Sequence, residues 1–336
     1  MAQPNQEITV DKTQLLNRAL SRRTFLAGLA SAGVLAAAPR AARAGLAADP
    51  LYPPMDLSAF DVPLHRGETD IRLGCSAITW SDNASQAIAD IAADGFAGIQ
   101  LRAPTLDQYP DPHALGELLA EHKLTFVALS SGSTSLDPAV RQSQLETHVK
   151  HAHYVHEAGG KYLQLISAPA KPTDTFTAAD YKLQGQLFTE IGKRISDYGV
   201  QLGFHNHMNS IGQPPEAIDA ILEASDPNYL YLELDVAHYL QGGGDPAAAI
   251  RKYGRRILFM HFKDVKNMST ASGYEWQELG QGRVDFPAVF AALHDINFRG
   301  WGIVELDRVP TGSNLSPKDA NEVSLRYLRD KMGVRA

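Results

Sequence analysis

Four short segments of the sequence end in residues that can bind a metal ion or transfer a proton. Each is an apolar run followed at once by polar residues: His205-Asn206-His207, Glu233-Leu234-Asp235-Val236-Ala237-His238, His261-Phe262-Lys263-Asp264 and Val304-Glu305. Imidazole nitrogen and carboxylate oxygen together suit Mn²⁺, Zn²⁺, Co²⁺ or Fe²⁺ better than Ca²⁺, which prefers oxygen ligands alone. The residue types therefore predict one divalent metal ion with acid–base groups beside it.

The spacing inside these segments assigns one metal ligand to each. Residues two apart on a strand, such as His205 and His207, point to the same side of a sheet. We predict that the metal is bound by His205, Asp235, His261 and Glu305. Taken alone, each has an ordinary interpretation: a histidine at a strand end is often a hydrogen-bonded core residue, Asp235 could cap the next helix, and Glu305 could belong to an ion pair.

Lys263 is the basic residue of the third segment. It is predicted to bind a substrate oxygen or to stabilise a developing oxyanion. The alternative is a buried ion pair with Glu233, Asp235 or Asp264. Glu233 lies one pleat deeper than Asp235 and is interpreted as a polar residue of the barrel core.

The remaining polar residues are candidates for the substrate pocket. His207 and His238 are expected to bind substrate hydroxyls or to orient the ligands, and His207 is a further acid–base candidate. Trp80, which follows the first predicted strand, is a candidate for substrate binding. Gln100 and Arg102 on the second strand are candidates for the same pocket.

Eight strand–helix units would position these residues. Short apolar runs typical of buried parallel strands occur at Ile71–Ser76, Gly98–Leu101, Thr125–Leu129, Tyr162–Ile166, Gln201–His205, Tyr229–Asp235, Ile257–Phe262 and Trp301–Glu305. Helical spacing separates them, at Ala84–Ala93, Pro112–His122, Ala139–Glu157, Ala178–Tyr198, Pro214–Ala224, Pro246–Tyr253, Pro287–Leu293 and Asn321–Lys331. The pattern predicts a single-domain (β/α)8 TIM barrel over residues 71–332, with function at the carboxyl ends of the strands.

An open, doubly wound α/β sheet is the rival architecture. It is disfavoured because no Gly-x-Gly-x-x-Gly turn follows the first predicted strand. Two glycine-rich segments, Gly242-Gly243-Gly244 and Gly280-Gln281-Gly282, follow later strands. We interpret both as flexible loops between a strand and a helix rather than as phosphate-binding turns.

The first 44 residues have the features of an export signal. Ser21-Arg22-Arg23-Thr24-Phe25-Leu26 opens an apolar stretch that is too short to span a membrane permanently, and Ala42-Arg43-Ala44 resembles a peptidase site. The paired arginines predict the twin-arginine export machinery as a partner and the periplasm as the location. An uncleaved anchor is the alternative. A Pro-rich arm follows over residues 45–70.

Composition narrows the class of protein. Of the 336 residues, 44% are hydrophobic and 21% are charged, which is typical of a soluble globular protein. Residues 1–44 carry six basic and two acidic side chains, so the net charge of −7 becomes −11 without them. An acidic body argues against nucleic acid as the main partner, and the oligomeric state is left open.

The four segments together resemble the xylose-isomerase-like TIM-barrel family, over roughly Ile71 to Arg329. That family includes sugar and sugar-phosphate isomerases, ketose epimerases and inosose dehydratase. The resemblance implies one divalent metal bound by His205, Asp235, His261 and Glu305. It also implies a small-molecule sugar substrate.

The sequence departs from the family pattern at one ligand position. Many ketose epimerases have Glu where His205 stands, and that Glu and the strand-eight Glu exchange protons on opposite faces of the substrate. Only Glu305 of this carboxylate pair remains here. The predicted activity is that of a metal-dependent sugar isomerase or epimerase. It would abstract a proton next to a carbonyl through a metal-stabilised enediolate, with Glu305 as base and His207, His238 or Lys263 handling the second proton.

Three alternatives stay open on the sequence. A lyase or hydratase acting on 3-keto-sugars or glycosides would use the same residues, and the missing strand-five Glu favours it. A periplasmic sugar-binding protein would keep the pocket without turnover. A metal-dependent endonuclease needs a basic groove, which the acidic charge disfavours.

Overall fold

A computed structural model of the chain describes residues 70–171, 174–269 and 273–334. The strands in these ranges are β1 (Ile71–Ser76), β2 (Gly98–Arg102), β3 (Thr125–Ser133), β4 (Tyr162–Ile166), β5 (Gln201–His205), β6 (Tyr231–Asp235), β7 (Ile257–Phe262), β8 (Asp264–Asn267), β9 (Tyr274–Gln277) and β10 (Gly300–Val304). Eight of them form a closed parallel barrel in the order β1-β10-β7-β6-β5-β4-β3-β2. The predicted (β/α)8 barrel is confirmed.

The helices pack between and around these strands. They are α1 (Ala84–Asp94), α2 (Thr105–Gln108), α3 (Pro112–Glu121), α4 (Arg141–Glu157), α5 (Ala178–Ser196), α6 (Pro215–Glu223), α7 (Val236–Gln241), α8 (Pro246–Tyr253), α9 (Phe286–Asp295) and α10 (Pro317–Met332). Proline occupies the first turn of five of them: α3, α6, α8, α9 and α10. Its fixed φ suits that position, and its missing N–H is not needed there.

Among the differences from the predicted elements, two concern the last third of the chain. β8 and β9 pair antiparallel as a separate two-stranded sheet after β7, where the sequence indicated only a loop. The last helix begins at Pro317, because Ser316 and Asp319 form a capping box one turn before the predicted start at Asn321.

The barrel interior is apolar below the functional residues. Phe259 lies two residues before His261 on β7, so the two side chains share a face of the strand. Phe259 packs with Trp301 and Ile303 in a cluster separate from the main core. Its ring also stacks on Tyr162 at 5.4 Å between centroids. These side chains fill the lower part of the barrel interior. The polar residues lie above them, at the carboxyl ends of the strands.

The predicted signal peptide (1–44) and nearly all of the Pro-rich arm (45–70) lie outside the described residues. Within the described ranges, no helix has the length and apolar character that a membrane span requires.

Candidate metal centre and active site

Asp235 ends strand β6 and begins helix α7. Its Oδ1 accepts hydrogen bonds from the backbone N–H groups of Ala237 and His238, each at 2.8 Å. Oδ2 is buried and has no hydrogen-bond partner among the described residues. The helix cap therefore uses one carboxylate oxygen, and the other remains available to a metal ion.

His261 lies on β7 directly beside Asp235 in the barrel register. Its Nδ1 has no hydrogen-bond partner in the described chain, and it lies 3.7 Å from Oδ2 of Asp235 and 3.4 Å from Oε2 of Glu305. Burial disfavours a charged ring, yet the carboxylates of Glu233 and Glu305 raise the pKa of His261 well above its usual range. A ring nitrogen facing two buried carboxylates needs a cation or a proton between them.

The predicted ligands converge at this end of the barrel. His205, Asp235, His238 and Glu305 offer ligand atoms that all lie within 4.8 Å of one another. His205 forms a second group of this kind with Glu233 and His261. The structure thus brings three predicted ligands into one group, and His261 reaches that group through its contacts with Asp235 and Glu305.

His238 belongs to the first group by distance, but its hydrogen bonding favours another role. Its Nδ1 accepts the backbone N–H of Met208 at 3.0 Å, and burial lowers the pKa of the ring well below its usual range. A neutral ring that accepts at Nδ1 carries its proton on Nε2. That Nε2 is buried and has no partner among the described residues. It is thus a hydrogen-bond donor available to a substrate oxygen.

His207 has the opposite arrangement. Its Nδ1 lies 2.6 Å from the carbonyl oxygen of Met208, which can only accept, so Nδ1 carries the proton and Nε2 has a lone pair. Burial, reinforced by His205 and Lys263, lowers the pKa of His207 to about 4. The rings of His207 and His238 lie 4.0 Å apart. Together they offer one acceptor and one donor.

Lys263 is completely buried at the end of β7. Its Nζ lies 2.9 Å from Oε1 of Glu305 and also contacts the carboxylate of Asp307. Burial opposes the ammonium charge, but Asp307 and Glu305 outweigh it and raise the pKa of Lys263. Lys263 does form buried ion pairs, as the alternative interpretation of the sequence expected. Its partners are Glu305 and Asp307, however, and not Glu233, Asp235 or Asp264.

Asp307 was not among the predicted site residues. Glu305 and Asp307 are two residues apart in the sequence. In an extended chain, side chains alternate between two faces, so this spacing would put both on the same face. Strand β10 ends at Val304, however, so that alternation could not be assumed beyond it.

The β8–β9 hairpin adds an aromatic wall to the site. The ring of Trp276 on β9 lies 4.6 Å from Nζ of Lys263 and 4.6 Å from the ring of His238. Tyr274 packs against Trp276 at 4.9 Å. Aromatic faces bind both ammonium groups and the apolar faces of ring compounds, so Trp276 belongs to the candidate pocket.

Asp264 ties this hairpin to the next loop. It is buried, and its carboxylate accepts the backbone N–H groups of Val265, Gly280, Gly282 and Val284 at 2.8–3.0 Å. A Cβ atom at Gly282 would overlap that carboxylate. The segment interpreted as a flexible glycine loop is therefore held by a side chain of the same chain.

Two of the pocket candidates, Trp80 and Arg102, lie apart from the group. The indole N–H of Trp80 donates to Asp90 of α1 at 2.8 Å. Arg102 is part-exposed and forms a 3.9 Å ion pair with Asp82. The structure does not bring either residue to the metal-binding group. By contrast, Gln100 on β2 contacts a predicted ligand directly, since its Oε1 lies 2.6 Å from Nε2 of His261.

The cluster fits a divalent metal ion. Among its buried atoms, His261 Nδ1 and Asp235 Oδ2 have no hydrogen-bond partner in the described chain. They are a ring nitrogen and a carboxylate oxygen, the donor types that Zn²⁺, Mn²⁺, Co²⁺ and Fe²⁺ accept. Buried polar atoms without partners are costly, and a bound cation would satisfy both.

Comparison with known proteins places the chain in a family. The model of the xylose isomerase-like TIM barrel matches residues 88–331. An inosose dehydratase of Clostridium beijerinckii is 24% identical over 298 residues, covering 78% of this chain and 98% of that protein.

Two solved structures share the fold. The IOLI protein with a bound zinc atom aligns with a TM-score of 0.66 and 20% identity, covering 77% of this chain and 97% of its own. A D-allulose 3-epimerase from Methylomonas sp. aligns with a TM-score of 0.64 and 22% identity, covering 78% of this chain and 98% of that protein. Since the family model covers most of the sequence, the chain belongs to the xylose isomerase-like TIM-barrel family.

Proposed function

We propose that this protein is an exported, divalent-metal-dependent lyase that removes water or an alcohol from a keto-sugar or cyclic polyol ketone. The substrate class is supported by the similar inosose dehydratase and by the family. The observation that carries the choice of lyase is the 2.9 Å contact between Glu305 Oε1 and Lys263 Nζ. It pairs one carboxylate with one buried ammonium group at the predicted site.

The reaction needs one base and one acid. A bound divalent metal would polarise the ketone and acidify its neighbouring C–H group. Glu305 takes that proton, the bond between the β-carbon and its oxygen breaks, and Lys263 protonates the departing oxygen. The products are water or an alcohol and an unsaturated ketone. The proton on Glu305 then returns to Lys263 across their contact, which restores both groups.

His207 and His238 would hold the substrate. The donor Nε2 of His238 suits a hydroxyl or carbonyl oxygen, and the acceptor Nε2 of His207 suits a hydroxyl hydrogen. Trp276 would cover the apolar face of the ring and keep water away from Lys263. The buried ammonium group of Lys263 is already paired with two carboxylates. This charge balance favours a substrate without a phosphate group.

Isomerisation or epimerisation is the second candidate. His207 supports it, because its free lone pair could exchange a proton on a face of the substrate that Glu305 does not reach. Epimerisation without elimination would leave the substrate saturated. The two reactions therefore give different products from the same first proton abstraction.

The test begins with metal analysis of protein purified without added metal. The metal-loaded protein is then incubated in deuterated water with keto-sugars, inososes and 3-keto-glycosides, while ultraviolet absorbance and mass are followed. Growth of a conjugated-ketone absorbance supports the lyase. Deuterium uptake without that absorbance supports the epimerase, and bound metal without either supports a non-catalytic sugar-binding protein.

Glu305→Gln is the matched variant, since it keeps the shape and removes the base. It should abolish both the absorbance change and deuterium uptake. Asp94→Asn is the control, because Asp94 is also a buried carboxylate but pairs with Lys318 on the outer helices. Unchanged exchange in Glu305→Gln would remove Glu305 as the base.

We also propose that the mature protein works in the periplasm after twin-arginine export. The support is the order of charged, apolar and small-residue segments in residues 1–44. Replacing Arg22 and Arg23 together with Lys should leave the protein in the cytoplasmic fraction. Export of this double variant at the normal level would argue against the twin-arginine route.

A further inference from the structure

We propose that Glu233 and Gln100 form a buried polar layer that fixes which nitrogen of each ligand histidine faces the metal. In this arrangement His261 binds through Nδ1 and His205 binds through Nε2. The inference rests on the metal centre of the proposed function. It assigns to Glu233 and Gln100 a positioning role that the reaction scheme does not use.

The first observation concerns His261. Its Nε2 lies 2.6 Å from Oε1 of Gln100 and 2.6 Å from Oε1 of Glu233. Both atoms are hydrogen-bond acceptors, so Nε2 carries a proton. Nδ1 is then the nitrogen with the lone pair, and it is the atom that faces Asp235 Oδ2 and Glu305 Oε2.

The second observation concerns His205, which lies beside Glu233 in the barrel register. Its Nδ1 lies 3.2 Å from Oε1 of Glu233, the same oxygen that contacts His261. A carboxylate next to Nδ1 favours a proton there, which leaves the lone pair on Nε2. One carboxylate oxygen on β6 thus contacts histidines from both neighbouring strands and assigns them opposite nitrogens.

The third observation is the isolation of Glu233. Its side chain is completely buried, and neither carboxylate oxygen has a well-aligned hydrogen bond among the described residues. The ring nitrogens of His261 and His205 are the nitrogen atoms that its carboxylate contacts, at 2.6 Å and 3.2 Å. A buried carboxylate in this position is costly unless it acts on these two rings.

Distance also excludes Glu233 as a ligand sharing one ion with His261 Nε2. Two ligands bound tetrahedrally at about 2.1 Å lie roughly 3.4 Å apart. The 2.6 Å separation of Glu233 Oε1 and His261 Nε2 is shorter than that, so these two atoms do not bind the same ion. We therefore assign Glu233 to the two histidines rather than to the ion.

The experiment uses the full chain, stripped of metal with a chelator, and Zn²⁺ as the probe. Competition with a chromophoric chelator gives the Zn²⁺ affinity of the wild type, Glu233→Gln and Gln100→Leu. In Glu233→Gln the amide N–H₂ can face either ring and stabilise the wrong tautomer. We expect its Zn²⁺ affinity to fall about 10–100-fold, as is typical when a partner of a ligand histidine is removed.

A spectroscopic signature separates positioning from simple structural support. In Zn²⁺-loaded wild type labelled with ¹⁵N-histidine, we expect His261 to be protonated at Nε2 and His205 at Nδ1. Assignment uses His261→Gln and His205→Gln spectra. Asp94→Asn is the control for loss of a buried carboxylate and should bind Zn²⁺ as the wild type does.

The inference is overturned if both histidines bind through the same nitrogen type, or if Glu233→Gln binds Zn²⁺ within twofold of the wild type. Should Glu233→Gln fail to fold, Gln100→Leu carries the same test at His261 alone, and an unchanged affinity there counts against the proposal. Wild-type protein that binds no Zn²⁺ and no other divalent ion would instead remove the metal centre itself. The two failures are therefore distinct.

Discussion

Nζ of Lys263 lies 2.9 Å from Oε1 of Glu305, at the carboxyl ends of two neighbouring barrel strands. The other oxygen of Glu305, Oε2, lies 3.4 Å from Nδ1 of His261. The carboxylate thus connects the ammonium group to the metal-binding cluster. The groups that we propose to remove and donate protons are already in contact before substrate binds.

Replacing Lys263 with Met should therefore affect both stability and catalysis. Glu305 and Asp307 would lose their shared cation, and breaking a buried ion pair in this way costs about 3–5 kcal/mol. Turnover should fall at least about 100-fold, since the leaving oxygen loses its proton donor. Urea unfolding and steady-state assays measure the two effects. A Lys263→Met protein with wild-type turnover would contradict the acid role.

Metal removal should lower the stability of the protein. The buried donors of Asp235 and His261 lack hydrogen-bond partners in the described chain, so a cation that binds them stabilises only the folded state. With free Zn²⁺ at about 100 times its dissociation constant, the unfolding free energy should rise by about 2.7 kcal/mol. Thermal scans with and without chelator measure this change. Identical scans would show that the folded protein does not bind the ion.

Gly282→Ala should disturb the hairpin that carries Trp276. The new methyl group would overlap the Asp264 carboxylate and displace the N–H groups bound to it. We expect a loss of about 1–3 kcal/mol in stability, an altered Trp276 fluorescence and a higher KM. Gly312→Ala is the comparison, because its Cβ position is open and only its φ of 81° is unfavourable. Equal effects from the two substitutions would argue against a specific clamp.

His148 on α4 should make stability depend on pH. Its Nδ1 bonds to Ser131 at 2.8 Å, and burial, with a contribution from His151, lowers its pKa from 6.5 to about 4. The unfolded chain takes up the proton first as pH falls, so stability is lost between about pH 6.5 and 4. Compared with His148→Gln, the wild type should lose about 3 kcal/mol more over that range. Denaturation curves of both proteins at several pH values measure this difference. If the wild type and His148→Gln lose the same amount of stability as pH falls, the buried neutral ring is contradicted.

The barrel could be predicted because its strands and helices follow simple periodicities. Four of the eight barrel strands have the predicted limits, among them Gln201–His205 and Ile257–Phe262. The β8–β9 hairpin was missed because each of its strands has only four residues. Each strand also has a single buried hydrophobic residue, Val265 in β8 and Trp276 in β9. Too few residues alternate there to give a signal.

The candidate site was predictable in its strand-end residues but not in its partners. Alternation along β5 to β7 places His205, Asp235 and His261 on the inner face, as expected from the sequence. Which groups they contact depends on neighbouring strands and their register. Gln100 contacts His261, and Asp307 contacts Lys263. Both contacts depend on how far each side chain extends towards another strand, and sequence periodicity carries no information on that.

The Asp264 carboxylate occupies a ring of four backbone N–H groups, three of them in the loop that contains Gly280 and Gly282. Such a concave ring of donors is the kind of backbone surface that binds phosphate in many proteins. Here an anion of the chain itself already fills it. A phosphorylated sugar would have to displace a side chain that also anchors the hairpin. We therefore expect this loop to offer no anion site to a substrate phosphate, while the same four bonds stiffen the hairpin that carries Trp276.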